Sequence, residues 1–372
     1  MDLYSRHTLK NQVYDIRQNE QLRMKYWNHN FRTVFEYNLN DKDNLNLAYT
    51  GSFTPDQHSN SLTSGNYQAS NVDKYVETRM HNVTLQYHSG SGFDVGGDYT
   101  RYTSDNNQTL SADYTEGGQS CFSIIGGQKI DRYSIYADRK RSLGKEWNLS
   151  YGMSYRFAKD RDFQTYDKVV GDIQTENTDS RLHEHTANVY VSLSKNYATG
   201  TSVSVSATGE YYTIGSYRKW AVYPQASLTY VKSPEHLFQF SLSTDKTYPG
   251  YWDMQSSVSH LNGYTELWGT PGLKPSTTYN LNGNYIWKQK YIFGLFFMHT
   301  SDFFVQTGYQ STDRLALIYK NTNWNYMQMW GANVILPFKV GNWLDSRLTL
   351  IGMQVRQRCD DFFDIPFNRK KW

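Results

Sequence analysis

The chain has 372 residues, a formal net charge of +3, 38% hydrophobic residues and a mean hydropathy of −0.72. Its 16% aromatic content, with 32 Tyr, excludes a disordered chain, and the scattered, nearly balanced charge gives no argument for nucleic acid. Two cysteines, Cys121 and Cys359, provide neither a zinc spacing nor a disulfide framework, and the longest apolar run, 291–298, falls far short of the roughly 20 residues of a spanning helix.

In chain order the dominant pattern is a two-residue alternation. Leu45, Leu47, Tyr49, Gly51 and Phe53 form one row, and Val83, Leu85 and Tyr87 a shorter one. Trp147, Leu149, Tyr151, Met153, Tyr155 and Phe157 follow, then Ala187, Val189, Val191 and Leu193, then Val203, Val205 and Ala207, then Tyr279, Leu281, Gly283, Tyr285 and Trp287. Residues i and i+2 of a strand share a face, so each segment has one apolar face and one face of small polar residues, with Tyr190 and Ile286 as exceptions. Short polar turns are predicted at 41–44, 89–92, 142–146, 196–200, 232–236, 288–290 and 339–342. Between them lie longer Ser/Thr/Asn/Asp/Gly-rich stretches at 54–72, 104–126, 160–180, 212–220, 247–274 and 305–315, read as loops. The unit is strand, long loop, strand, short turn, giving about 14 strands and one more before residue 20. No segment carries a helical apolar stripe, so the protein is predicted to be all-β.

An apolar face needs a partner. In a soluble sandwich or propeller it meets another sheet; in an outer-membrane barrel it meets lipid while the polar face lines a wet lumen. The regular alternation of short and long connections favours the barrel. So do the tryptophans: Trp147, Trp287 and Trp343 flank short turns, while Trp220, Trp252, Trp268 and Trp324 lie toward the long stretches, as interfacial aromatics do. The apolar rows carry no charge, and Arg156 falls on the opposite face. The expected fold is an antiparallel transmembrane β-barrel in the cell outer membrane of a Gram-negative cell, with outer-membrane lipid as its first partner.

The stretch 246–254, Lys-Thr-Tyr-Pro-Gly-Tyr-Trp-Asp-Met, then Leu-Asn-Gly-Tyr at 261–264, Gly-Thr-Pro-Gly-Leu-Lys-Pro at 269–275 and the strand after it resemble the barrel portion of TonB-dependent receptors. They are most similar to the outer-membrane β-barrel family common in Bacteroidetes. Tyr251, Trp252 and Asp253 match the first family element; Gly269, Pro271, Leu273, Lys274 and Pro275 match the second, and Thr270 and Gly272 depart from its usual Asn and Asp. The resemblance implies a barrel of about 22 strands, a plug domain and TonB as partners, and uptake of a scarce small or oligomeric ligand. Residues 1–372 would then be a partial barrel domain, without the plug and signal peptide, and an incomplete barrel expressed alone is expected to aggregate.

No catalytic residue, metal site or cofactor is predicted, and the protein is not read as an enzyme. The aromatics Tyr248, Tyr251, Trp252, Tyr264 and Trp268 are the candidate ligand contacts, against a role in interfacial anchoring and loop packing. Trp252, Asp253, Gly269, Pro271, Leu273, Lys274 and Pro275 are read as structural. His183 and His185 share a face at a strand start, with Glu184 opposite, and read as polar junction residues before they read as metal ligands. Asp160, Asp162, Asp172 and Glu176, among Lys159, Arg161 and Lys168, have no calcium-loop spacing and read as a solvated loop. Two other functions stay open: a self-contained structural or adhesive outer-membrane barrel, and a soluble secreted β-protein that binds glycans.

Overall fold

A computed structural model describes residues 1–171, 176–361 and 366–371. The alternating segments form one sheet of 19 strands. The first nine are β1 (Asp2–Leu9), β2 (Gln12–Lys25), β3 (His29–Asn38), β4 (Asn44–Gly65), β5 (Gln68–Ser89), β6 (Phe93–Tyr114), β7 (Gln119–Gly144), β8 (Trp147–Val170) and β9 (Thr178–Asn196). Next come β10 (Ser202–Ile214), β11 (Tyr217–Ser233), β12 (His236–Thr247), β13 (Val258–His260), β14 (Thr265–Trp268) and β15 (Ser276–Trp287). The last are β16 (Tyr291–Gln310), β17 (Leu317–Val340), β18 (Leu344–Cys359) and β19 (Phe367–Lys371). Among the described residues no helix is long and apolar enough to cross a membrane.

The wall is an antiparallel meander in which sequence neighbours pair. β2 and β3 both pair with β4, on its 58–65 and 44–53 portions, so they act as one wall strand interrupted at 26–28. The meander skips from β12 to β15. The skipped hairpin, β13 with β14, lies inside, and β14 runs parallel to β17 from Thr265 beside Leu317 to Trp268 beside Lys320. No ladder joins β1 to β19 among the described residues.

The register explains which face is which. Leu45, Tyr87, Val95, Ala137, Met153 and Val189 are ladder partners in turn and form one outward row. Met153 and Val189 are 62% and 64% exposed, so this row has no protein neighbour to cover it. One residue along, Asn46, Gln86, Gly96, Tyr136, Ser154 and Asn188 form the inward row. An apolar belt outside a polar interior is the arrangement lipid selects. Val191 lies in this belt and Ser192 on the inner face. Val191→Arg is therefore expected to cost about 2–4 kcal/mol of folded stability in bilayers, and Ser192→Arg much less. Folded fractions in outer membranes of the native host, read by protease resistance of the wall, check this; equal effects at the two positions would refute a lipid-facing belt.

All seven predicted short turns fall between strands. The longer stretches differ from expectation. Residues 54–65, 104–114 and 160–170 continue β4, β6 and β8, so what reads as loop is strand that has left the belt. The connection after β10 is only two residues, and β16 runs on to Gln310. The physical reason is a change of surroundings. Beyond the lipid the outward face meets water and turns polar, while the apolar residues move to the inward face: Val72, Leu110, Ala112, Phe122 and Ile124 are each no more than 5% exposed and pack together. The strand count exceeds the expected 14 through β1 and β2, where one strand before residue 20 was expected, the internal hairpin and β19.

Candidate functional site

The inward apolar cluster exists because something lies against it. Residues 248–275 leave β12, turn through a 3-10 helix, η1 (Tyr251–Met254), form the β13–β14 hairpin and return to β15. This segment docks across the inner wall through polar side chains that supply the ladder partners its backbone lacks. Gln164 Nε2 donates to the Val258 carbonyl and Gln164 Oε1 accepts from the Val258 amide, both at 2.8 Å. Gln108 does the same for His260, accepting from its amide at 3.4 Å. Tyr114 donates to the Gly263 carbonyl at 3.1 Å.

The segment's own aromatics are the other anchors. Tyr248 and Tyr251 donate to the buried carboxylates of Glu210 on β10 and Glu184 on β9. Glu210 also accepts from Lys246 and from Tyr223. Tyr264, 2% exposed, lies 3.2 Å from Ser5 Oγ and 3.1 Å from His7 Nδ1. Met254 and Leu273 complete an apolar cluster with Tyr212 and Ile214. Asp253 ties the two family elements together: its carboxylate accepts from Gly250 at 3.1 Å and Asn321 at 2.7 Å, and its carbonyl accepts from the Thr270 amide at 2.7 Å. A Cβ on Gly269 would sit 2.0 Å from the Gln255 carbonyl, so only glycine permits this approach. Lys274 donates its amide to Asn323 at 2.8 Å, and Leu273 and Pro275 are buried, while Pro271 is exposed at the turn.

Between the hairpin and the β4–β7 rim lies an open cavity of about 390 Å³. Tyr67, Tyr114, Phe122, His260, Glu266 and Arg314 line it. Arg314 grips Glu266 through two parallel bonds of 2.6 and 2.7 Å, and Trp268 Nε1 donates to the same carboxylate at 2.8 Å. Burial pushes the Glu266 carboxyl up, but the hydrogen bonds and charge of Arg314 outweigh it and hold it below the ordinary value. His260 is pushed down to about 4, mainly by burial, so it is neutral at physiological pH. Its Nε2 lies 3.2 Å from the Tyr166 hydroxyl and its ring 4.6 Å from that of Phe122.

Of the candidate ligand contacts, Tyr248, Tyr251 and Tyr264 have their hydroxyls committed to wall residues, Trp268 bonds Glu266, and Trp252 is 49% exposed with Lys74 Nζ 5.6 Å from its ring. The sequence pattern missed Glu184, Glu210, Glu266, His260 and Arg314; they come from strands and turns far apart in the chain, and only inward parity on their strands hinted at the first two. His183 and His185 do share a face of β9; His185 Nδ1 lies 2.8 Å from the Tyr155 hydroxyl and its ring 4.7 Å from that of Phe157. Cys121 and Cys359 are free thiols.

The acidic group departs from expectation. Asp160 and Asp162 are not in a solvated loop but on the inner face of β8, 3% and 1% exposed. Burial pushes Asp160 up to about 7 and Asp162 up to about 6. Asp172 lies outside the described residues, and Glu176 is exposed. Among the described residues no three His, Cys, Asp or Glu side chains converge.

An uncovered apolar belt, a polar interior, short turns at one end and tall strands at the other define an outer-membrane β-barrel. Residues 86–372 match the outer membrane protein beta-barrel family, and the chain belongs to it. It is accordingly a protein of the outer membrane, and the soluble alternative is set aside. A search of curated proteins finds no match. Among solved structures, the hemophore receptor HasR of Serratia marcescens, in complex with its hemophore HasA and heme, is 9% identical, with 95% of this chain and 62% of that one covered at a TM-score of 0.47. The ferripyoverdine receptor of Pseudomonas aeruginosa is 11% identical, covering 91% and 56% at 0.43. The copper transporter OprC is 10% identical, covering 96% and 61% at 0.41. The chain thus spans roughly six-tenths of the length of these receptors.

Proposed function

We propose that this chain is the barrel portion of a TonB-dependent outer-membrane receptor that takes up a scarce ligand, of the form common in Bacteroidetes. The observation that carries the reading is the 248–275 segment folded into the barrel, which narrows the mouth and leaves a cavity of about 390 Å³ bounded by Tyr67, Tyr114, His260 and the Glu266–Arg314 pair. Small-ligand sites fall in this range of volume, with a few converging polar groups among aromatic ones. Family membership and the partial coverage of longer receptors support it. The barrel's roles are to present the ligand site and line the conduit, while a plug domain and TonB supply gating and energy. No covalent chemistry is assigned to any residue.

The test is purification from outer membranes of the native host through a tag in the short turn at 198–200. The expected result is that the tagged barrel is covalently continuous with, or bound to, a plug domain carrying a TonB-binding segment. Recovery of the chain alone as a heat-modifiable, monodisperse barrel would overturn the proposal in favour of a self-contained structural barrel.

A further inference from the structure

Beneath η1 and the start of β13 lies a second, partly enclosed cavity of about 20 Å³, room for about one water-sized particle. Its lining is made of oxygen-bearing side chains: Ser104 and Asn106 from β6, Gln128 from β7, Asp162 from β8, and Gln255 and Ser257 from the folded-in segment. Both carboxylate oxygens of Asp162 and the carbonyl oxygen of Asn106 are buried there without a hydrogen-bond partner. The Ser256 amide supports the Asp162 charge only from beyond hydrogen-bonding geometry. Two residues along the same face, Asp160 accepts from Gln128 at 3.0 Å through one oxygen, and its other oxygen is also unpartnered. Among the described residues neither carboxylate forms an ion pair, although Arg161, between them in sequence, bonds Asp179 on the opposite face.

Buried acceptors with no donor are rare, because each carries the full cost of leaving water. Here three such oxygens, from Asp162 and Asn106 on β8 and β6, border one small space, and the fourth, on Asp160, lies beside Gln128 at its edge. A water would satisfy at most two of the three, since it has two hydrogens to donate. A cation satisfies all three. The set holds no sulfur or nitrogen ligand, which selects a hard ion. Two carboxylates, Asp162 in the lining and Asp160 beside it, neutralise a divalent charge. Magnesium retains several waters, and a space of this size has no room for them.

We propose that this cavity is a binding site for one calcium ion, held by Asp162 and the Asn106 carbonyl, with Gln255 and Ser257 adding neutral oxygens from the folded-in segment and Asp160, behind Gln128, balancing charge from beside the site. The ion would clamp η1 and β13 to β6 and β8, so its occupancy would set how firmly the segment is seated. The inference is independent of any transport role.

The test uses the protein as isolated in detergent from outer membranes of the native host, with whatever polypeptide it is joined to, stripped with chelator and dialysed against radioactive calcium beside its Asp162→Asn variant, so that only binding this chain provides is counted. One calcium per chain is expected. Asp162→Asn should weaken binding at least tenfold, whereas Asp41→Asn, at an exposed turn, should leave it unchanged. Stability gives a second readout. Without calcium, Asp162→Asn should melt above the parent chain, because an orphaned carboxyl is gone; with calcium the order should invert. Terbium offers a third measurement, since Trp252 lines the cavity and should sensitise its emission; Trp252→Phe should abolish emission while calcium still binds. Absence of saturable binding at one ion per chain would overturn the proposal and assign the orphaned oxygens to protons. Binding undiminished in both Asp162→Asn and Asn106→Ala would overturn it equally.

Discussion

Replacing Glu210 with leucine is expected to be the most damaging single change in the folded-in region, costing about 3–5 kcal/mol. Glu210 and Lys246 have side chains 4% and 7% exposed and form an ion pair. Tyr223 and Tyr248 donate to the same carboxylate. Without it, the ammonium stays buried against the rings of Tyr212 and Tyr248, at 4.3 and 4.7 Å, and the phenols lose their acceptor. Cation–π attraction of about 2 kcal/mol does not compensate a desolvated, unpaired charge. Lys246→Met should cost less, because Glu210 keeps two phenol donors. The double variant should be more stable than Glu210→Leu alone, since no orphaned charge remains. Urea unfolding of the four proteins, each isolated in detergent from outer membranes of the native host, measures the coupling, and strictly additive effects would show that the pair does not act as a unit. Tyr248 hangs the folded-in segment from this cluster, so Glu210→Leu should also open 248–275 to protease before the wall unfolds.

The wall was legible in the sequence because lipid imposes one rule on every strand. Where Val189 and Val191 alternate with Asn188 and Ser192, a period of two and a polar turn are enough to fix strand and face. The rule fails where the surroundings change. Along β7, Ile135 and Tyr133 face outward, whereas Phe122 and Ile124 face inward. The apolar phase flips partway up the strand, and a reader following one phase sees the upper part as irregular polar chain. The same cause hid Asp160 and Asp162, whose neighbours in sequence are charged but whose neighbours in space belong to 252–259. The aromatic motif of 248–275 was legible as a unit of sequence. Its partners were not: Glu184, Glu210 and Gln108 come from distant strands, and the parallel pairing of β14 with β17 leaves no local trace.

Acid should loosen the folded-in segment through His260, and the sign follows from its environment. Burial holds this imidazole down at about 4, against an ordinary value of 6.5. The unfolded chain therefore takes up a proton first as the pH falls. A neutral His260 contributes stability that is fully present above about pH 6.5, declines between 6.5 and 4, and changes no further below that. A shift of this size corresponds to at most about 3 kcal/mol. Glu266, held below its ordinary value, acts in the same direction as the pH falls through its own range, so the two contributions must be separated by a variant. His260→Gln retains a side chain able to bond Tyr166 and removes the titration. The stability gap between parent and variant should then shrink, or reverse, by up to about 3 kcal/mol on going from pH 7 to pH 4. Unfolding curves for both proteins at a series of pH values in chelator-treated buffer measure that gap. A gap that instead grows as the pH falls would mean that His260 is protonated in the folded state, its charge balanced by Glu266 3.9 Å away, and the segment would then be seated by an ion pair rather than by burial of a neutral ring.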